Sequence, residues 1–312
     1  MESPRATRRR ARPSRVRPLL YTALAAVTVL GGTAAGTVYV KAQAHSGAAD
    51  VSSAATAADS PSLESVEPVA QPTVDYDARL TKAMKSVSVP DGAAVSVAVL
   101  DVSSGANASY GKGAFDTASI VKVDILATLL LQAQDAGRHL TAAEKSYATS
   151  MIENSDNASA TALWDRIGKA GGLDAANKRF GLTGTEGGAG VLWGLTQTTA
   201  ADQLTLLEQV FGTNSTSKLS AASRAYLQGL MGQIASDQQW GVSAADDGSG
   251  WALKNGWLPR STTNLWDVNS IGRVTTNGRH YLVAVVSKGN ATQAKGITLV
   301  ESTAKAAIAA LR

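Results

Sequence analysis

The stretch Ser119-Ile120-Val121-Lys122-Val123-Asp124-Ile125-Leu126-Ala127-Thr128-Leu129-Leu130-Leu131-Gln132-Ala133-Gln134 decides how the rest of the chain is read. Its length and composition predict a strongly apolar helix, with Asp116-Thr117 just ahead as the expected cap. On a helix, positions i and i+3 share a face, so the Lys122 amine is placed to reach the Ser119 hydroxyl. An apolar setting disfavours the ammonium form and lowers a lysine pKa, which an amine needs before it can act as a base near neutral pH. The spacing Ser-x-x-Lys alone is common. It also occurs at Ser109/Lys112, Ser215/Lys218 and Ser302/Lys305, which read as a Gly-flanked turn, a polar loop and the solvent side of the last helix. Only Ser119 opens an apolar helix. Taken singly it also reads as an ordinary helix-start serine, and Lys122 as a side chain that snorkels outward.

Two further motifs bear on that choice. Ser155-Asp156-Asn157 is the one Ser-Asp-Asn in the chain, and polar loop residues facing a nucleophile can pass a proton to a leaving group and hold a substrate amide. Lys254-Asn255-Gly256 lies in a stretch of strand character, where a lysine supplies positive charge and a glycine lets substrate approach the backbone. Alone, the first is a helix-capping turn and the second a solvated strand residue.

In the order Ser-x-x-Lys, Ser-Asp-Asn, Lys-x-Gly, these motifs resemble those of class A β-lactamases and penicillin-binding proteins, over about residues 75–312. The resemblance implies an α/β (α+β) two-lobed fold, in which the N- and C-terminal parts build one antiparallel sheet and an all-helical lobe is inserted between them. It implies Ser119 as acylated nucleophile, Lys122 as its base, Ser155 as proton donor to the leaving group, Asn157 as a substrate-amide ligand and Lys254 as the cation that steers a substrate carboxylate. The oxyanion hole falls to the backbone N–H groups of Ser119 and Trp257. Expected substrates are β-lactams, esters or peptidoglycan-derived compounds, taken by a monomer without cofactor or metal.

The pattern departs from the family at three places. Asn255 stands where a hydroxyl residue is usual, although its amide can donate instead. The stretch between Lys122 and Ser155 is shorter than is typical, which implies a trimmed helical lobe and an open cleft. The deacylating glutamate of a Glu-x-x-x-Asn loop has no counterpart. Glu186 is the one acid between Arg179 and Thr199, and it reads as an exposed loop acid or as a substitute base. Three readings follow: a serine hydrolase, a slowly acylating or binding-only penicillin-binding-like protein, and a structural protein that keeps the fold alone. Retention of Ser119, Lys122, Ser155, Asn157 and Lys254 together argues against the last.

Further out, seven arginines fall within residues 1–17, followed by an uncharged stretch at 18–40 closed by Lys41. This predicts a basic cytoplasmic segment (1–17) and a membrane anchor or signal peptide (18–41), cleaved near Ala44 in the second case. Residues 42–72, rich in Ala, Ser, Asp and Pro, read as a flexible tether to a catalytic domain at 73–312 on the extracytoplasmic side. Of 29 Lys and Arg, eight lie in residues 1–41 beside one of the 25 acids, so the remainder is net −3 and offers no basic patch for nucleic acid. The chain has no cysteine, which excludes disulfides and thiolate chemistry, and its three histidines are scattered. A Ser-His-Asp triad lacks its Gly-x-Ser-x-Gly elbow. A helix is expected over Asp75–Val87 and strands over Ala93–Val102, Trp251–Trp257, Leu265–Thr275 and Tyr281–Ser287. Asn277-Gly278 joins the last two strands, and a final helix spans about Lys295–Leu311. Trp257, with Trp240, is expected to line the cleft.

Overall fold

The computed structural model describes residues 74–312, so the expectations for 1–17, 18–41 and 42–72 lie outside the described residues. The described chain opens with helix α1 (Tyr76–Met84), whose first turn is capped by the Asp75 carboxylate accepting from Ala78 N–H at 2.8 Å. The hairpin β1 (Ala94–Asp101) and β2 (Asn107–Tyr110) follows, then the short β3 (Phe115–Asp116) and a 3₁₀ turn at Ala118–Ile120. Five helices come next: α2 (Val121–Asp135), α3 (Ala142–Glu153), α4 (Asn157–Ile167), α5 (Lys169–Phe180) and, beyond β4 (Gln197–Thr198), α6 (Ala200–Phe211). After α7 (Ala221–Met231) come three long strands, β5 (Trp251–Pro259), β6 (Trp266–Thr276) and β7 (Arg279–Asn290), and then α8 (Gln293–Ala310).

The main sheet has the order β2-β1-β7-β6-β5, antiparallel throughout, so N- and C-terminal strands meet at the β1–β7 seam and the helical lobe is inserted between them. The β6–β7 turn is made by Asn277 (φ 51°) and Gly278 (φ 69°), two residue types that tolerate the left-handed conformation a tight hairpin requires. Side chains alternate faces. Leu282, Ala284 and Val286 of β7 join the core shared with α2–α7, whereas Tyr281, Val283 and Val285 join the core under α1 and α8. Ser109, expected in a turn, lies on strand β2.

α2 runs through the middle of the helical lobe against α3, α4, α5 and α7, and twelve of its fifteen residues are buried. At roughly 1.5–3 kcal/mol for each large apolar side chain removed from water, its Ile, Leu and Val residues anchor the lobe. Two ionisable groups are buried with them, Lys122 and Asp124. Asp124 Oδ2 accepts from Asn177 Nδ2 of α5 at 2.9 Å, while Asp124 Oδ1 and Asn177 Oδ1 have no partner among the described residues. Protonation of Asp124 adds the donor that this pair lacks. Consistently, burial raises the Asp124 carboxyl to about 7, helped by the nearby Asp174 and Asp202 carboxylates.

A folded-state pKa above the unfolded value means that the folded protein holds the extra proton between about pH 4 and 7, so stability falls as pH rises through that window. Asp124→Asn, which mimics the acid form, is expected to match the wild type near pH 4 and exceed it at pH 8, by up to roughly 4 kcal/mol. Urea unfolding at the two pH values checks this, and parallel curves would disprove it.

Candidate active site

Ser119 sits in the 3₁₀ turn that leads from β3 into α2, partly exposed to solvent. The turn is held from behind. Thr117 N–H donates to Thr196 O at 2.9 Å, and Asn269 Nδ2 of β6 donates to the Asp116 and Thr117 carbonyls at 2.9 and 3.0 Å. Asn269 Oδ1 in turn accepts from Ser287 N–H at 3.0 Å, so its side chain is fixed at both ends. This clamp places Ala118 at φ 47°, a left-handed conformation that costs a non-glycine residue about 1–2 kcal/mol. The expected cap is not formed. The Thr117 side chain makes no capping bond, and Asp116 instead binds Arg260 and Gln197.

β5 is the outermost strand, hydrogen-bonded to β6 alone, and its open edge borders the Ser119 turn. Gly256 is needed there. A Cβ at this position would stand 2.6 Å from Ser119 N and 2.8 Å from Thr117 O. Strand alternation puts Lys254 and Gly256 on the Ser119 face and sends Asn255 to the other. Asn255 is fully buried, and its Nδ2 donates to the Gln238 and Trp240 carbonyls at 2.6 and 2.9 Å. The expected substrate contact of Asn255 is therefore corrected: both amide protons are engaged in holding the 238–240 segment. Trp257 borders the cavity and tilts against Trp240 with ring centroids 5.8 Å apart, but Trp240 is not part of the lining.

Ser155 occupies the turn between α3 and α4 with φ 55°, and Asp156 caps α4 through a 2.6 Å bond from Ser159 N–H. This geometry brings the Ser155 hydroxyl between two amines. Lys122 Nζ lies 3.0 Å from Ser155 Oγ, and Lys254 Nζ lies 3.1 Å from the same atom. Lys122 also donates to Ser155 O at 2.6 Å and to Asn157 Oδ1 at 2.8 Å, and it lies 5.0 Å above the Trp193 ring. Burial lowers the Lys122 amine to about 7, against the opposing pull of the Asp156 carboxylate. Burial, and then the charge of Lys122, hold the Lys254 amine well below its ordinary value. Its remaining contact is the carbonyl of Asn255 at 2.9 Å, and it is wholly buried. The Lys254 amine, expected to face a substrate carboxylate, is directed at the Ser155 hydroxyl. No hydrogen bond joins Ser119 Oγ to Lys122 Nζ among the described residues.

In front of these groups opens a cavity of about 790 Å³, lined by Ser119, Asn157 and Thr161 together with Val191, Leu192, Trp193, Leu195, Leu258, Pro259 and Arg260. Glu186 is not part of the lining. It is exposed, and its backbone pairs with Gln197 through two 2.9 Å bonds. Trp193 takes the position over Lys122, its Nε1 donating to Thr161 Oγ1 at 3.1 Å. Inspection of the 179–199 region for acids alone passes over it. The signal that was there is the apolar run Val191-Leu192-Trp193 in a segment otherwise rich in glycine.

The profile of the family described as the beta-lactamase enzyme family matches residues 131–311. The chain belongs to that family. The matched span begins downstream of Ser119 and Lys122, so those two residues rest on geometry and motif rather than on the match itself. Among solved structures, PBP-A is similar over 75% of this chain and 96% of its own, with 21% identity and a TM-score of 0.64. The TLA-1 extended-spectrum β-lactamase covers 76% of this chain and 98% of its own at 17% identity, TM-score 0.65. A β-lactamase from Xanthomonas campestris covers 76% and 97% at 18% identity, TM-score 0.61. At such identities these likenesses show the β-lactamase fold. A comparison with curated proteins finds no match.

Two measurements probe this β-lactamase-family site without assuming its reaction. In ¹³Cε-lysine NMR, one resonance, absent in Lys122→Arg, is expected to titrate near pH 7. Asp156→Asn keeps a capping side chain but removes the carboxylate that raises the value, so the midpoint should move lower. A midpoint near 10 would mean that Lys122 is a solvated ammonium. Separately, Gly256→Ala is expected to cost about 1–3 kcal/mol in denaturant unfolding, because the displaced atoms are backbone.

Proposed function

We propose that this chain is an extracytoplasmic serine hydrolase that forms an acyl-enzyme on Ser119 with β-lactam or related amide and ester substrates. The observation that carries the reading is the Ser155 hydroxyl suspended between the amines of Lys122 and Lys254, beside a partly exposed serine in an open cavity. In the reaction, neutral Lys122 accepts the Ser119 proton as Oγ attacks the acyl carbon, with Lys122 turning from Asn157 toward Ser119. The N–H groups of Ser119 and Trp257 receive the developing oxyanion. Ser155 then gives its proton to the leaving nitrogen or oxygen and is reprotonated from Lys122, leaving an ester on Ser119 and a neutral amine. Lys254 holds the Ser155 hydroxyl in line. Asn157, whose Oδ1 is bound to Lys122, offers its Nδ2 to a substrate carbonyl.

A second reading has its own support. No carboxylate lines the cavity among the described residues, and Glu186 is exposed away from it. Hydrolysis of the acyl-enzyme then lacks the usual carboxylate base, which favours slow turnover like that of a penicillin-binding protein. Among the structural neighbours, one variant of PBP-A is described as an acyl-enzyme complex with penicillin G. The basic segment 1–17, the anchor or signal peptide 18–41 and the tether 42–72 place a monomeric domain, 73–312, outside the membrane, acting on small molecules.

Intact mass spectrometry of the full chain with a penicillin and with an activated ester tests the proposal. An adduct is expected on the wild type and not on Ser119→Ala, whose stability should stay within about 1 kcal/mol. An adduct that lasts for hours supports the slow-turnover reading, and one lost in seconds supports a working hydrolase. Labelling that survives in Ser119→Ala would remove Ser119 from the chemistry.

A further inference from the structure

We infer that the site selects uncharged acyl donors with a bulky apolar acyl group, of the class of aromatic and medium-chain aliphatic esters. The inference rests on acylation of Ser119 as proposed above and names the substrate within that reading.

The first ground is the wall of the cavity. Val191 and Leu192 are 62% and 53% exposed, two of the most exposed large apolar side chains among the described residues, and both line the Ser119 cavity. Leu258 and Pro259 stand on the β5 side of the same cavity. Apolar groups gathered at a cleft rim mark a surface that awaits an apolar ligand. About 790 Å³ is ample for an aromatic ring or a hydrocarbon chain.

The second ground is charge. A substrate carboxylate needs a cation or free donors, because removing it from water without them is strongly unfavourable. Among the described residues near Ser119, each cation already has a partner, and the donors left in the lining are neutral: the Ser261 and Thr262 hydroxyls and the Asn157 amide. Lys254 is buried against Ser155 and its own strand's carbonyl. Lys122 is bound to Ser155 and Asn157. Arg260, the cation that does line the cavity, is ion-paired with Asp116, whose carboxylate lies beside the Asp267 carboxyl. Asn255, where a hydroxyl is usual, has turned its amide to the other face of the sheet. The walls thus reward apolar area and offer an anion neutral donors but no unpaired cation.

The test uses the full chain and p-nitrophenyl esters, with Ser119→Ala as the background. Each methylene buried is worth roughly a fourfold gain, so kcat/KM for acylation is expected to rise roughly two-hundredfold over the four methylenes from acetate to hexanoate. The pentanoate should exceed the mono-p-nitrophenyl ester of glutarate, which matches it in length but ends in a carboxylate, by at least tenfold. Leu192→Asn is expected to lower the hexanoate-to-acetate ratio at least tenfold. A flat series, or faster reaction of the glutarate half-ester, overturns the inference and leaves Ser119 acylation standing. Absence of ester-derived mass on Ser119 together with p-nitrophenolate release no faster than in Ser119→Ala overturns both, since the nucleophile is then wrong.

Discussion

Two buried amines share one hydroxyl, and the rest of the structure is arranged to make that tolerable. Lys122 and Lys254 each approach Ser155 Oγ to about 3 Å. Two ammonium ions so close, both out of water, would repel each other and forfeit most of their hydration. The pair is therefore held short of full protonation, and the two amines titrate as coupled groups. Three elements have to meet for this: the apolar helix that buries Lys122, the outermost strand that carries Lys254, and the turn before α4 that presents Ser155. The antiparallel sheet and the inserted lobe bring residues 122, 155 and 254 to one point.

The meeting point is strained. Ala118 and Ser155 both adopt left-handed backbone angles, next to Ser119 in one case and at the shared hydroxyl in the other. Such conformations persist only where surrounding contacts over-determine them. Around Ala118 these are the Asn269 clamp, the Thr117–Thr196 bond and the close face of Gly256. Around Ser155 they are the Asp156 cap, a 3.1 Å bond from Asp156 N–H to Ser150 O, and the amines themselves. Without its two amide bonds from Asn269, the turn would have less reason to hold Ser119 toward the cavity, although Asn269 lies on a strand remote in sequence.

What the sequence made legible follows from locality. The apolar run after Ser119, the Asn277-Gly278 turn and the amphipathic last helix each encode their conformation in neighbouring residues, and the structure places elements where they predict. Lys122, Ser155 and Lys254, one residue from each motif, meet at one hydroxyl. The departures concern direction and partnership, which depend on strands and helices far apart in the chain. Asn255 is next to Lys254, yet the pleat sends it to the opposite face and into the carbonyls of residues 238 and 240. Asp116 has the position of a cap in the sequence, but a strand end and Arg260, far downstream, claim it. Asp124 and Asn177 become partners only when α2 packs on α5. No spacing rule reports such pairings.

The loop between α5 and β4 carries the remaining logic. Carboxylates fasten it from below: Asp174 accepts from Gly187 N–H at 2.8 Å, and Asp202 accepts from Gly184 N–H and Thr185 Oγ1 at 2.7 Å each. Trp164 Nε1 holds its far side through Gly190 O at 2.8 Å. These acids are structural and point into the lobe, and the loop lays the Trp193 ring over Lys122. In the proposed reaction, one amine then serves both half-reactions. It can do so only if the proton taken from Ser119 departs with the leaving group, since a Lys122 that stays charged cannot activate water. The fate of that proton passes through Ser155, so the same hydroxyl that makes two buried amines tolerable also decides whether the acyl-enzyme is released.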